Sequence, residues 1–375
     1  MRIVIAPDSF KGSASAVRVC EALAAGWREV RPDDELVELP MADGGEGTLD
    51  AFLLAVPGAN RMPVRVTGPD GRVVQASWVL LPPTPELPGG TGVVELAETS
   101  GLPLMARLDA MNAHTLGFGQ AIAAAIDHGV SRLLLGIGGS ASTDGGGGVL
   151  VALGARLLDA EGLSVLLGGG SLPEVATIDV SRLRSLPEGG ALVLSDVTNP
   201  LLGASGAADV FGEQKGADAA QRADLEAALA SWSRVLSAAG VAADPAAPGA
   251  GAAGGTGFGL MAWGARLVSG ASAIADAIGL DAALADADLV ITGEGRFDAQ
   301  TDGGKAPAIV AEHARAAHAP IALVAGSLAA EPHGFVSAFA LTDLAGSAGA
   351  ALADAPRWLR AAGEALAVRE GHGPE

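Results

Sequence analysis

The chain has 375 residues, 49% of them hydrophobic, and a formal net charge of −20. That length is a prior for about two domains and leaves ample apolar material for a large core. The negative charge disfavours nucleic acid or an anionic membrane as a partner, so any phosphorylated ligand needs local cations or a metal.

Cys20 is the only cysteine, which rules out an intrachain disulfide and fits a reducing cytoplasm; its apolar helical surroundings read as a packed thiol. The first residues, MRIVIAPDSF, read as a strand rather than a signal peptide. No apolar run approaches the ~18 residues of a membrane span. Among 23 basic residues only Lys11, Lys215 and Lys305 are lysines, and each adjoins a glycine, in SFKGS, EQKGA and GGKAP. Lysine is a compact point charge suited to a phosphate oxygen, and arginine does not replace it in a tight site.

In chain order, Ile3 to Ala6 predicts a buried strand followed by Asp8 and Lys11. A helix capped by Ser13 or Ser15 then runs to about Val30. ELVELP (35–40) predicts a second strand, leading into Asp43-Gly44-Gly45-Glu46 and a helix from about Leu49. From 61 to 81 the pattern alternates around Gly-Pro-Asp-Gly, which predicts an antiparallel hairpin and a domain boundary near 60. Val93 to Leu96 is another strand, with Glu95 and Glu98 near its end, and Ala113 to His128 is helical.

RLLLGIG (132–138) is a core strand that opens into Gly139-Ser140-Ala141-Ser142-Thr143-Asp144 and four glycines, whose backbone N–H groups could nest an anion. Gly136 to Ala141 and Gly249 to Gly254 also match the loose dinucleotide fingerprint, though the first is followed by a glycine tract instead of a helix and the second follows no strand. Ala191 to Ser195 is a strand ending in Asp196-Val-Thr-Asn199, a pair of side chains suited to magnesium or a hydroxyl. Lys215 precedes a helix of about 219–238, and the Ala/Gly/Pro tract 242–255 reads as a mobile loop.

Strand–helix alternation resumes after 286. DLVITGEGRFDAQTDGGKAP (288–307) predicts a strand broken at Gly293, a charged loop with Glu294, Arg296, Asp298, Thr301 and Asp302, and a helix starting near Lys305. Open α/β sheets place ligands in such loops, and carboxylates with a lysine suit a metal-bound phosphate. Strands at 320–325 and 338–342 and a helix at about 349–367 follow. The six histidines are scattered, with no zinc spacing, and neither a Walker loop nor a GxSxG elbow is present.

Six tracts together resemble the bacterial glycerate kinases that form 2-phosphoglycerate. They are APDSFKGS (6–13), PMADGGEGT (40–48), GIGGSASTDGGGG (136–148), SDVTNPLLG (195–203), FGEQKGA (211–217) and the stretch 288–307. The resemblance implies ATP-dependent, magnesium-assisted phosphorylation of D-glycerate. It also implies two α/β domains with a cleft between them: one flavodoxin-like with a parallel sheet, the other a mixed sheet with restriction-endonuclease-like topology. The hairpin and the resumed alternation place the first at 1–60 plus 286–375 and the second, inserted, at 61–285. Small molecules are the expected partners, with no nucleic acid and no membrane, and a homodimer is compatible with the pattern.

On this reading Asp43, Glu294 and Asp298 hold the metal. Asp8, Lys11, Asp196 and Lys305 are the catalytic candidates, with Asp196 favoured as acceptor of the hydroxyl proton over Asp8 and Asp144. Gly44, Gly45, Gly139, Ser140, Asp144, Asn199, Lys215 and Arg296 contact phosphate or substrate. The chain departs from the family in having Glu213 where proline is usual and Thr115-Leu116 where Ser-Tyr is frequent. Three other readings stand beside this one: a sensor of small sugar acids, a kinase forming 3-phosphoglycerate, and an NAD-dependent oxidoreductase.

Overall fold

The computed structural model describes residues 1–241, 243–298 and 305–371. The chain forms two compact units: Met1–Asp43 with Asp50–Pro57 and Ala271–Glu375, and Gly44–Leu49 with Gly58–Gly270. The return to the first unit therefore comes at Ala271 rather than 286, and the short segment Gly44–Leu49 belongs to the second.

The first unit is built on a five-stranded, wholly parallel sheet. Its order is Ser337–Ala340, Ile321–Leu328, Leu289–Phe297, Arg2–Ile5 and Glu35–Glu38. Counted along this unit the order is 2-1-3-4-5, that of flavodoxin-like sheets. Ile3, Val4 and Ile5 pair with Leu289, Val290 and Ile291, and all six are buried. Such continuous apolar runs are what a parallel strand covered on both faces requires. Helix Ala16–Val30 starts at Ser15, whose hydroxyl accepts from the Arg18 N–H, so Ser15 rather than Ser13 is the cap. Its buried face includes Cys20, Leu23 and Trp27 and packs with Leu359 and Leu366 of helix Ala355–Gly371.

Two features of this unit differ from the sequence expectation. Gly293 does not break its strand, which continues to Phe297 in register with Ile321–Leu328. A β-carbon at Gly293 would lie 2.0 Å from the Val324 carbonyl oxygen, so the glycine serves close strand contact. The C-terminal helix is divided, into Ala348–Ala353 and Ala355–Gly371.

The second unit carries a six-stranded mixed sheet. Arg266–Val268, Ala191–Leu194, Arg132–Gly136 and Thr91–Glu95 are mutually parallel, and the hairpin Asn60–Thr67 and Val73–Leu81 adds two antiparallel strands at one edge. The core joins Leu133, Leu135, Phe118, Ile122 and Trp232 with residues of helix Ala252–Trp263. The described part of the 242–255 tract is not a mobile loop. Gly249–Gly255 is largely buried and tied down by bonds from the Gly251 N–H to Asn199 O (2.9 Å) and from Gly145 N–H to Gly254 O (3.1 Å). Low sequence complexity here reflects small residues needed for close backbone packing.

Helices Ala16–Val30 and Ala355–Gly371 approach through glycines. A β-carbon at Gly26 would fall 1.9 Å from the Arg360 carbonyl oxygen, and one at Gly363 would fall 2.3 Å from that of Leu23. We predict that Gly26→Ala lowers stability by about 2 kcal/mol or more, because the backbone of the partner helix must move. Gly349→Ala, in an exposed helix with open space around it, should be neutral or stabilising by up to ~1 kcal/mol. Urea midpoints of the two variants check the contrast, and equal midpoints would refute the close-packing account.

Candidate active site

In the first unit, charge collects where the strand order reverses. Arg2–Ile5 and Leu289–Phe297 are neighbours, and their onward connections lead to opposite sides of the sheet. Open α/β sheets place ligands at the carboxyl ends of strands at this point. The residues after Ile5 keep following the neighbouring strand: the Ala6 N–H donates to Ile291 O (2.7 Å) and the Asp8 N–H to Gly293 O (2.8 Å). Asp8 is thereby held level with Glu294, whose side chain is only 8% exposed.

The Asp8 carboxyl is pushed up from 3.8 to about 6. Burial is the main cause, and the charges of Asp43 and Glu294 add to it. The Ser9 N–H, 2.6 Å from Asp8 Oδ1, and the Lys11 ammonium oppose the shift. Lys305 Nζ lies 3.8 Å from Glu294 Oε2 and 4.0 Å from Asp298 Oδ1, and it stands at the start of helix Ala306–Ala316. Arg296 is exposed, with Nε 3.5 Å from Asp298 Oδ2. Thr301, Asp302 and the glycine pair before Lys305 lie outside the described residues.

Among the described residues no three His, Cys, Asp or Glu side chains are grouped so as to hold a metal ion. Asp43, Glu294 and Asp298 therefore do not form a ready-made triad, and Asp298 instead faces Arg296 and Lys305.

In the second unit the glycine loop is built around Lys215. This lysine is 1% exposed. Its Nζ donates to Ser140 Oγ (2.9 Å) and to the Ser142 carbonyl oxygen (2.5 Å). Burial lowers its pKa from 10.5 to about 7, with Asp144 acting in the opposite direction. Asp144 is itself buried: Oδ2 accepts from the Thr115 N–H (2.9 Å), Thr115 Oγ1 (2.8 Å) and the Gly148 N–H (3.1 Å), and Oδ1 accepts from the Gly146 N–H (3.3 Å). The sequence places Lys215 and Asp144 in contact with ligand, whereas the fold commits both to the loop itself. Ser142 Oγ and Thr143 Oγ1 are buried without hydrogen-bond partners.

Gly44 and Gly45 lie against the ends of two strands of this unit. The Gly138 N–H donates to Gly44 O (3.0 Å), and a β-carbon on Gly138 would lie 2.5 Å from Gly45 Cα. Gly139 is exposed on the adjoining turn. Asp196, also exposed, accepts from the Gly270 N–H (3.0 Å). Asn199 donates through Nδ2 to Ser205 O (2.8 Å), while its main-chain carbonyl receives the Gly251 N–H.

Two residues outside the candidate set matter structurally. Glu95 is 2% exposed, and its carboxylate accepts from the Gly47 N–H (3.2 Å) and the Leu49 N–H (3.1 Å), fixing the glycine turn and the start of helix Thr48–Ala55. Thr115 orients Asp144. A carboxylate ending an apolar strand was the available signal for Glu95; nothing local singles out Thr115. The dinucleotide fingerprint fails, because after strand Arg132–Gly136 no helix begins until Gly147.

A parallel α/β sheet with acidic and lysine side chains at its switch point, and a second unit holding a glycine-rich loop, define an architecture for handling phosphate groups. The family description "Glycerate kinase family" matches residues 3–369, and the chain belongs to that family. It is 44% identical over 332 residues to the glycerate 2-kinase of Escherichia coli (strain K12), covering 88% of this chain and 86% of the relative. It is 42% identical to a glycerate kinase of Bacillus subtilis (strain 168), covering 88% and 85%. A solved structure described as a candidate glycerate kinase 2 from Salmonella typhimurium LT2 superposes with a TM-score of 0.86 at 40% identity, covering 100% of this chain and 99% of that one. The chain is thus an enzyme, a kinase of this family. No helix among the described residues is long and apolar enough to cross a membrane.

The Asp8 shift yields a stability prediction. Its folded pKa, about 6 against 3.8, means that the native state retains a proton which the unfolded state has released. Stability therefore falls as pH rises through this window, by about 3 kcal/mol in all. Asp8→Asn should be more stable than the parent at pH ~8 in EDTA, with the difference vanishing near pH ~4. Urea unfolding at the two pH values checks this, and a pH-independent difference would contradict it.

Proposed function

We propose that the enzyme transfers the γ-phosphoryl group of ATP to the 2-hydroxyl of D-glycerate, assisted by magnesium, in the cytoplasm. The observation that carries this reading is the grouping of Asp8 with Asp43 and Glu294 at the switch point, where burial, with the charges of the other two adding, raises the Asp8 carboxyl to about 6. Carboxylates that repel one another in a buried site are suited to a divalent cation. Magnesium typically takes only one or two carboxylates together with phosphate oxygens and water, so a preformed triad is not required.

Asp8, Asp43 and Glu294 are the residues that would hold the ion, in place of the sequence-based set with Asp298. When bound, magnesium neutralises charge on the phosphate oxygens and orients them. Lys11 and Lys305 bind phosphate oxygens as point charges. The Lys305 ammonium, already within 4.0 Å of two carboxylates, shifts between those partners and a phosphate. Asp298, itself paired with Arg296, steadies Lys305.

In the second unit, Lys215 is a positioning residue: it holds the Ser140–Ser142 backbone, and Asp144 holds the remainder of the loop. Gly44, Gly45, Gly139 and Ser140 present N–H and hydroxyl donors to anionic oxygens. Asp196, exposed to solvent, accepts the hydroxyl proton, and Asn199 shapes its turn. The identity to a relative named glycerate 2-kinase supports phosphorylation at the 2-position.

ADP release dependent on both D-glycerate and magnesium is the expected result of a coupled assay, and phosphorus NMR should show 2-phosphoglycerate. Absence of glycerate-dependent ADP would sink the reading, and 3-phosphoglycerate would overturn its regiochemistry. Lys305→Arg retains charge but enlarges and flattens the head. We expect turnover to fall by about tenfold or more with the melting temperature little changed; near-parental turnover would remove Lys305 from phosphate binding. Magnesium should also narrow the stability gap between Asp8→Asn and the parent at pH ~8, and an unchanged gap would count against the ion set.

A further inference from the structure

Gly44 and Gly45, assigned above to anionic oxygens, head a short segment of the second unit that one buried side chain holds. The segment, Gly44–Leu49, follows a single row of that unit's sheet. Glu95, Gly136 and Leu194 are the last residues of three adjacent parallel strands and are partners in register, Glu95 with Gly136 and Gly136 with Leu194. Gly44 rests on the last two of these. A β-carbon on Gly44 would lie 2.5 Å from Leu194 O, and one on Gly136 would lie 2.7 Å from Gly44 O. Gly47 and Leu49 reach the first: their N–H groups donate to Glu95 Oε1 (3.2 Å) and Oε2 (3.1 Å).

Three of the first four residues of the segment are glycine, and Gly44 and Gly47 both have φ +90°. A chain of this kind has many conformations open to it, so its form must be imposed by its contacts. Thr48 closes one side, with Oγ1 donating to Gly45 O (2.7 Å). Glu95 closes the other and is itself fixed, since its carbonyl accepts from Thr99 Oγ1 (3.2 Å). Yet Glu95 is 2% exposed, and taking a carboxylate out of water carries a penalty that a well-packed apolar side chain would not. What the apolar side chain lacks is a pair of acceptors for two N–H groups of one turn. The carboxylate therefore specifies the shape of the turn more than it stabilises the fold.

We propose that Glu95 is a positioning residue for phosphoryl transfer: its carboxylate clasps the 44–49 turn to the strand ends and so holds Gly44 and Gly45 in the geometry in which they meet anionic oxygens. The inference rests on the kinase reading above. The anionic oxygens belong to ATP or to D-glycerate, and the experiment tells the two apart.

Glu95→Gln keeps the size of the side chain but turns an NH2 group toward one of the two N–H donors. Deuterium exchange of the 44–49 amides should quicken by about tenfold or more. At a temperature where circular dichroism shows the variant folded, kcat should fall by about tenfold to a hundredfold, the scale of a misplacement of about 1 Å. The KM for one of ATP and D-glycerate should rise by about threefold or more, which loss of folded protein alone does not produce. Glu98→Gln is the control. Glu98 accepts from the Ser77 N–H (3.2 Å) and Oγ (2.8 Å) and from Arg61 (3.1 Å), all on the hairpin, so this variant should lose stability with 44–49 exchange and both KM values as in the parent. Should Glu95→Gln not fold, Glu95→Asp, which keeps the charge and shortens the reach, is read in its place. Unchanged exchange at 44–49 overturns the proposal, and so does faster exchange with parental kcat and KM values; the kinase reading survives both. If the parent turns over no glycerate, the kinase reading fails by itself, and calorimetry with ATP and with D-glycerate decides the clasp. Affinity for either lowered by Glu95→Gln sustains it, and no binding, or equal affinities in parent and variant, ends it.

Discussion

An ammonium group taken out of water organises the second unit. Burial lowers the pKa of Lys215 from 10.5 to about 7, which amounts to about 5 kcal/mol of disfavoured charge, at its fullest below neutrality and fading as pH rises toward 10.5. That figure is net of the opposing charge of Asp144, and the ammonium donates to Ser140 Oγ and the Ser142 carbonyl. Those partners must come very close. A β-carbon at residue 254 would lie 2.8 Å from Lys215 Nζ and 2.1 Å from Ser142 O, and Gly254 also has φ +67°. The glycine content around this lysine is thus a geometric consequence of satisfying it, and the loop's shape follows from the charge at its centre.

The first unit solves a different problem. Asp8 accepts from the Ser9 N–H and lies close enough to Asp43 and Glu294 to feel both charges, at the end of two adjacent parallel strands. Burial raises the Asp8 pKa, the charges of Asp43 and Glu294 add to the shift, and the Ser9 N–H and Lys11 relieve only part of it. One unit therefore uses buried charge to fix backbone, and the other gathers like charge around a buried carboxyl, which is pushed toward its protonated form.

This difference also explains what the sequence made legible. Apolar β runs at 3–5, 133–135 and 289–291 mark core strands, because continuous apolar runs in parallel sheets are readable from local pattern, whereas Glu294 and Arg296, expected in a loop, lie within the strand Leu289–Phe297. The hairpin at 60–81 was equally plain from its turn residues. Gly293 misleads because its role depends on Val324, a residue on a neighbouring strand. The same holds for the 242–255 tract, whose order depends on Asn199 and Gly145. Lys215 and Asp144 carry the right residue types for a phosphate site, and only burial reveals that they act on the loop. Local pattern records what a segment can form, while partner identity across long separations records what it touches.

The adjacency of lysine and glycine has more than one physical origin. At Lys215-Gly216 the glycine closes a short 3₁₀ turn with φ +91°, and it has no room for a side chain against Leu108. At Lys11-Gly12 the φ is +80° with open space around it, so the turn alone requires glycine. A shared sequence signature therefore carries one lysine into the interior, where it orders backbone, and another to the rim of a carboxylate cluster, where its charge remains available. The lysine count alone therefore does not distinguish these environments, and burial and hydrogen bonding are needed to tell one lysine from another.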